Sequence, residues 1–392
     1  MTPIEHIRTW LPELTVWRRD FHAHPETGFE ELRTSALVAE RLAAWGIEVH
    51  RNIGRTGVVG VLRCGNGQRR IGLRADMDAL DMPEENGFAH RSTHPGKMHG
   101  CGHDGHTTML LAAARYLAET RRFDGTVHFI FQPAEEGQGG ARAMIAEGLF
   151  ERFPCDAIYG IHNRPGLPIG QFGLRAGAMM AGAAFFDITL IGKGGHGARP
   201  ENTVDPVLCA AQLVSALQGV VARNVAPAEA AVLSVTGFTA GTAYNVIPER
   251  VALRGTVRAF RVETMRLVEA RMRALAESIA TGFGARAELS FREIAIPTVN
   301  TAREADLAGD ALAGLVGEAA VERERAPVMG SEDFAYMLAE RPGAYFVVGN
   351  GIGDAGGCDV HNPRYDFNDA AIPYGAGGLA AVAERELPRL GG

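Results

Sequence analysis

The chain has 392 residues and a mass of 41.9 kDa, too long for one ordinary core and suited to roughly two or three domains. Hydrophobic residues make up 46% and charged residues 22%, the balance of a packed chain and not of a disordered one. Lys plus Arg is 39 against 46 for Asp plus Glu, a formal charge of −7; nucleic acid is excluded as the main partner, because phosphate binding needs a basic face.

Taken in chain order, Leu32 to Trp45 has helical spacing and stops at Gly46. Gly57 to Arg63 and Ile71 to Ala75 are short Val-, Ile- and Leu-rich runs, as buried strands should be. The pattern predicts a helix over Gly105–Glu119, a strand over Thr126–Phe131, a helix over Ala141–Gly148 and a strand over Ala157–His162. Such alternation implies an α/β sheet with helices on its faces. The rhythm then changes: strand Phe185–Ile191, helix Asp205–Ala222, strand Ala230–Gly237, extended run Val246–Phe260, helix Glu263–Thr281 and strand Ala287–Arg292. This is β-α-β-β-α-β, the ferredoxin-like unit. Mixed α/β returns with helices near Glu304–Val316 and Ser331–Leu338, strand Tyr345–Val348 and helix Ala376–Arg389. The expected organisation is one discontinuous α/β domain, 1–183 and 298–392, interrupted by an insert, 184–297.

The least polar long stretch, Pro206 to Ala222, carries Gln212, Ser215 and Gln218, so no membrane span is expected. Early Glu5, His6, Arg8 and Glu13 leave no apolar signal core, and a cytoplasmic location is the expectation. Cys64, Cys101, Cys155, Cys209 and Cys358 are odd in number and form no C-x-x-C pair, which fits a reduced compartment.

Cys101 stands apart because of its neighbours, Met98-His99-Gly100-Cys101-Gly102-His103-Asp104-Gly105-His106. A thiolate and an imidazole two residues apart, on a glycine-rich turn entering a helix, can converge on one metal ion; a turn that is merely His-rich is the alternative. Gln132-Pro133-Ala134-Glu135-Glu136-Gly137 follows a buried strand. Adjacent carboxylates there suit a division of labour, one ligating metal and the other acting as base on water; an acidic first helical turn is the alternative. Asp76, Glu135, Glu136 and His162 all fall at carboxyl ends of expected strands, where sites in open α/β sheets gather, and His361 lies past the last one. Cys101, His103, Glu136, His162 and His361 make five candidate ligands, enough for two ions bridged by one of them, and Cys101 is the chosen bridge. In the insert, His196 in Gly194-Gly195-His196-Gly197, together with Asn245 and Arg258, offers donors for an oxyanion or a substrate carboxylate.

Several segments in order then resemble one family. These are Trp17 to Glu26 with Gly28-Phe29-Glu30-Glu31, Leu73 to Leu80, the Cys101/His103 segment, Gln132 to Gly137 and Gly160-Ile161-His162-Asn163. Gly194 to Pro200, Met329 to Phe334 and His361-Asn362-Pro363 complete the set. The chain is similar to the metal-dependent amidohydrolases of the aminoacylase and carboxypeptidase class, in the hippurate hydrolase and indoleacetyl-amino-acid hydrolase branch. The resemblance implies a mixed-sheet, phosphorylase/hydrolase-like catalytic domain with an inserted lid and dimerisation domain, and a homodimer or higher oligomer formed through that insert. It implies two divalent ions, zinc or manganese before cobalt or nickel, on Cys101, His103, Glu136, His162 and His361. By the same resemblance Glu135 matches the general base, Asp78 an acidic residue that orients the site, and His196 a transition-state donor. Asn245, Arg258, Gly330 and Ser331 match substrate-binding positions. Asp76 stands where other branches have a ligating histidine, Asp81 where many relatives have proline, and Glu201 where histidine is frequent.

The implied activity is hydrolysis of the amide bond of N-acyl amino acids, with a small-molecule substrate and neither nucleic acid nor membrane as partner. A dipeptidase or a deacetylase of acetylated diamino acids would share the site. An inactive metal-binding scaffold and a thiol enzyme using Cys101 as nucleophile are the rivals outside that chemistry.

Overall fold

The structure, a computed structural model, describes residues 1–389. Strands β1 (Glu48–Ile53), β2 (Gly57–Cys64), β3 (Arg70–Asp76), β4 (Gly125–Gln132), β5 (Ala157–Pro165) and β6 (Phe172–Gly173) come first. Then follow β7 (Gly182–Ile191), β8 (Ala231–Ala240), β9 (Arg250–Ala259) and β10 (Arg286–Ala295), and finally β11 (Val321–Glu322) and β12 (Gly343–Gly351).

The chain divides into two compact units. The first comprises Met1–Met179, Val299–Ala326 and Asp333 onward. Its eight-stranded sheet runs β1-β2-β4-β3-β5-β12-β6-β11. At the centre β4, β3, β5 and β12 are parallel neighbours, while β1 and β2 attach antiparallel, so the sheet is mixed. Its strands are near-continuous apolar runs because both faces are covered: Ile71, Leu73 and Ala75 of β3 and Val127, Phe129 and Phe131 of β4 are all buried. Helices His103–Thr120 and Ile372–Glu386 add Leu110, Leu117, Leu379 and Val382 to the same core. The parallel arrangement sends the carboxyl ends of β3, β4 and β5 to one edge, where the expected site residues Asp78, Glu135, Glu136 and His162 stand.

Helices Pro3–Arg8 and Leu11–Ala23 and strand β1 go beyond the elements that periodicity predicts. The second helix buries Arg18 and His22 beside Leu14 and Phe21, so its inward face does not read as apolar. The final helix begins at Ile372 rather than Ala376, with Pro373 accommodated in its first turn, and ends at Glu386. The helix expected from Ser331 starts only at Phe334, after Asp333.

The second unit comprises Met180–Thr298 and Pro327–Glu332. Its four-stranded sheet is antiparallel in the order β8-β9-β7-β10, the ferredoxin-like arrangement. Helices Pro206–Asn224 and Val262–Gly282 bury Leu213, Leu217, Val268 and Met272 with Phe186, Ile188 and Leu190 of β7. Pro248 divides the expected run Val246–Phe260 into a short bridge strand, Val246–Ile247, and β9. The division differs from 184–297: it falls at Met179/Met180 and Thr298/Val299, and Pro327–Glu332 joins the insert. The Ala181 N–H donates to the carbonyls of both Val328 and Gly330 at 3.0 Å, which ties that segment in. Gly330 and Ser331 therefore belong with the inserted unit and not with residues 298–392. Helix Pro206–Asn224, where no membrane span is expected, is long and apolar enough by length and composition alone to cross a membrane. Its buried residues, Cys209, Leu213, Leu217 and Val220 among them, lie along one face on the sheet, as in a core helix.

Candidate metal centre

The turn entering helix His103–Thr120 begins with Gly102 at φ +92°, a left-handed conformation open to glycine. A Cβ there would sit 2.4 Å from Asn163 Nδ2 and 2.5 Å from the Tyr365 hydroxyl, so glycine also provides the room. The turn after β4 holds Ala134 at φ +52°. Ala134 keeps that strained geometry because its N–H donates to the buried Glu31 carboxylate at 2.8 Å and its carbonyl accepts the Gly140 N–H at 2.9 Å. These two turns and the end of β5 bring the expected ligands together.

Cys101, His103 and His162 have ligand atoms within 4.8 Å of one another, and so do Cys101, Glu136 and His361. Cys101 is common to both groups. Its Sγ lies 3.4 Å from His162 Nε2, and His361 Nε2 lies 3.1 Å from Glu136 Oε1. His103, Glu135 and Glu136 form a further group on the same criterion. The Glu135 Oε1 accepts the Asp333 N–H at 3.3 Å.

Asp78 aims two of these groups. Its Oδ1 accepts from His103 Nδ1 at 3.2 Å and its Oδ2 accepts the Glu136 N–H at 3.0 Å. With Nδ1 as donor, His103 presents Nε2 inward, and that nitrogen is buried without a hydrogen-bond partner among the described residues. A buried imidazole nitrogen surrounded by carboxylates and a thiol is the donor set of a divalent cation. The residues present therefore fit a two-ion centre.

Electrostatics agree. Burial disfavours the His103 imidazolium, yet Asp76, Asp78 and Glu136 outweigh it and push its pKa up to about 10. Burial, with Glu136, Glu135 and Asp76, pushes the Cys101 thiol well above its usual range. A cation is what would compensate these anions and turn the thiol into a thiolate ligand. Burial, with His106, holds His162 neutral, the form that ligates.

Around this group lies a layer that spacing does not single out. Buried Arg74 donates to Gln132 at 2.8 Å and to Asp76 at 2.8 Å. Asp333 accepts from Gln132 Nε2 at 2.6 Å and from the Ala141 N–H at 2.9 Å, tying the turn after β4 to the start of helix Phe334–Glu340. Buried His22 sits between Asp104 at 2.8 Å and Glu84 at 3.2 Å. His106, Asn163, Asp104 and Glu31 lie inside the sequence motifs, and burial is the signal that would have marked them out.

In the inserted unit His196 pairs with Val246 on a two-stranded ribbon, and the Gly197 N–H donates to the Asn245 carbonyl at 2.8 Å. His196 Nδ1 accepts the Ala198 N–H at 3.1 Å, so the neutral ring carries its proton on Nε2. Arg258 donates to the Ser331 hydroxyl at 3.3 Å. His196 and Asn245 thus meet at one place in this unit, and Arg258 and Ser331 meet at another.

An α/β sheet whose strand ends gather a thiol, three imidazoles and paired carboxylates defines a metal-dependent hydrolase, and the chain belongs to peptidase family M20/M25/M40, matched over residues 72–385. It is 42% identical over 370 residues to the hippurate hydrolase of Campylobacter jejuni, covering 94% of this chain and 95% of that one. It is 40% identical over 385 residues to the IAA-amino acid hydrolase ILR1-like 2 of Arabidopsis thaliana, covering 96% and 86%. Among solved structures, a dinuclear metal-binding peptidase of the M20 family from Bacillus subtilis superposes with a TM-score of 0.84 at 34% identity, covering 96% of this chain and 98% of that one.

Proposed function

We propose that this enzyme hydrolyses the amide bond of N-acyl amino acids, giving a carboxylic acid and a free amino acid. The observation that carries the reading is the pair of three-ligand groups sharing Cys101, with the Glu135 carboxylate beside them. Divalent ions held there supply Lewis acidity for the amide carbonyl and acidify a water molecule. Glu135, aimed by the Asp333 N–H, takes a proton from the attacking water and returns it to the leaving nitrogen. Asp78 keeps His103 in its ligating tautomer. His196, with its proton on Nε2 and Asn245 beside it as a substrate contact, donates to the developing oxyanion across the interface of the homodimer proposed below, while Arg258, Gly330 and Ser331 hold the substrate's carboxylate side.

Cys101 with His103 and His162 favours zinc, and the carboxylate Glu136 also admits manganese, with cobalt and nickel behind them. A reduced, cytoplasmic setting is supported by Cys64, Cys101, Cys155, Cys209 and Cys358, all free. A homodimer through the inserted unit is supported by its exposed Leu208, Phe238 and Tyr244.

The test is a panel of benzoyl-, acetyl- and indoleacetyl-amino acids, dipeptides and acetylated diamino acids, run before and after chelation and with zinc or manganese restored. Cleavage of acyl-amino acids that stops on chelation and returns with metal is expected. Preference for dipeptides or diamino acids would move the substrate assignment. Activity indifferent to chelators and lost on thiol alkylation would replace the reading with a Cys101 nucleophile.

A further inference from the structure

Asn163, at the end of β5, joins four partners, three of them buried and His162 partly so. Its Nδ2 donates to the Cys101 carbonyl at 2.7 Å, and its Oδ1 accepts the Tyr365 hydroxyl at 2.8 Å. Its backbone N–H donates to His106 Nε2 at 2.9 Å, and its carbonyl accepts the His162 Nδ1–H at 2.6 Å. Because the Cys101 carbonyl can only accept, the orientation of the amide is fixed.

Two tautomers follow from these bonds. A neutral imidazole carries one proton, and His106 accepts at Nε2, so Nδ1 bears its hydrogen and donates to Asp76 at 2.6 Å. Both His106 nitrogens are thereby engaged within the protein, although the residue stands in a group with Asp76 and His103 that could hold a metal. His162 donates from Nδ1, which leaves its Nε2 lone pair facing Cys101 Sγ. One side chain and its own peptide groups therefore set both the Cys101 loop and the His162 ring.

Beyond the shared Cys101, the second ligand group has less support: Asp78 accepts the Glu136 N–H and the Gly100 carbonyl accepts the His361 N–H, but the His361 ring itself is met by Glu136 alone among the described residues. His361 is an exposed side chain, its backbone is left-handed at φ +62°, and its Nε2 contacts Glu136 directly. Ligands held in advance bind an ion without first losing entropy on ordering; ligands on an exposed turn do not have that advantage.

We infer that Asn163 is a positioning residue that presets Cys101 and His162, with His103, as the tighter of the two ion positions, and that the Cys101–Glu136–His361 position fills second. The inference rests on the two-ion reading above and not on the identity of the substrate.

The experiment titrates the metal-free full-length protein with cobalt(II) alone. Thiolate-to-cobalt absorption, competition with a chromophoric chelator and elemental counting are the readouts. The unaltered protein should show two classes of site, the first equivalent bringing up the thiolate band. His361→Ala should lose the second class and keep the first at unchanged affinity. Asn163→Ala should weaken the first class by about 10–100-fold. Tyr365→Phe keeps the ring in the core and should weaken it by a smaller factor. Circular dichroism of each metal-free variant checks folding, and Tyr365→Phe decides alone where Asn163→Ala does not fold.

A single class of sites overturns the inference. So does a first class indifferent to Tyr365→Phe and Asn163→Ala, or one weakened by His361→Ala. Graded cobalt binding as described, in a protein that cleaves no N-acyl amino acid, would sink the proposed function and leave this inference standing.

Discussion

Asp78 Oδ1 accepts from His103 Nδ1 at 3.2 Å while its other oxygen accepts the Glu136 N–H at 3.0 Å, so one buried carboxylate orients two candidate ligands. Asp78→Asn keeps the shape of the side chain but removes its charge and replaces one acceptor oxygen with an N–H donor. Only one of the two bonds can then survive. Metal affinity should fall by about 10–100-fold, read by chelator competition, while the metal-free protein keeps its circular dichroism. Unchanged affinity would mean that His103 is held by something else.

Glu135 and Glu136 are neighbours in sequence, and the proposed mechanism makes the first the base and the second a ligand. Glu135→Gln keeps the size of the side chain and cannot take a proton. Turnover should drop by about 10²–10⁴-fold with the bound metal count unchanged. Loss of metal in this variant would make Glu135 a ligand and not the base.

For His196 the expected signature is a fall in kcat with both ions retained. Removal of one oxyanion donor costs about 10²–10³-fold, so His196→Ala should lie in that range when measured at saturating substrate. A rise in KM alone would place His196 in substrate binding.

The pH dependence of stability should carry the mark of His22. Burial opposes its charge, but hydrogen bonds to Asp104 and Glu84 win and push its pKa up to about 9, from 6.5 when unfolded. The native state then binds a proton that the unfolded state has lost between those two values. This contribution is complete below pH 6.5 and disappears as pH rises through 9. Unfolding free energy should therefore decline across that window, by at most about 1.4 kcal/mol per pH unit from this group. Denaturant melts of the protein and of His22→Gln at several pH values test it. Equal slopes for the two would remove His22 from the account.

Much of the centre was legible because its residues fall in short, dense motifs. Cys101 and His103 lie on one turn, Glu135 and Glu136 on another, and each follows or precedes an apolar run that marks a sheet or helix. The supporting layer is harder to see. Arg18 and His22 are fully buried on a helix whose sequence looks solvent-facing, and their partners Glu84, Asp104, Asp366 and Asp369 explain why they can be inside. The place of Gly330 and Ser331 escapes sequence reading for a related reason: the bonds from Ala181 that tie this segment to the inserted unit span a long stretch of chain.

What the sequence determined by itself was local: strand and helix periodicity, the interruption of one α/β unit by a β-α-β-β-α-β insert, and the set of side chains able to bind metal. Tertiary structure alone decided which of these side chains face one another and which nitrogen of each imidazole points inward; Cys101, the bridge chosen from the sequence, is found in both ligand groups. The reason is physical. Apolar spacing records only whether a residue turns toward a core, whereas coordination and tautomer depend on hydrogen-bond partners delivered by distant strands, and these exist only after the sheet has closed.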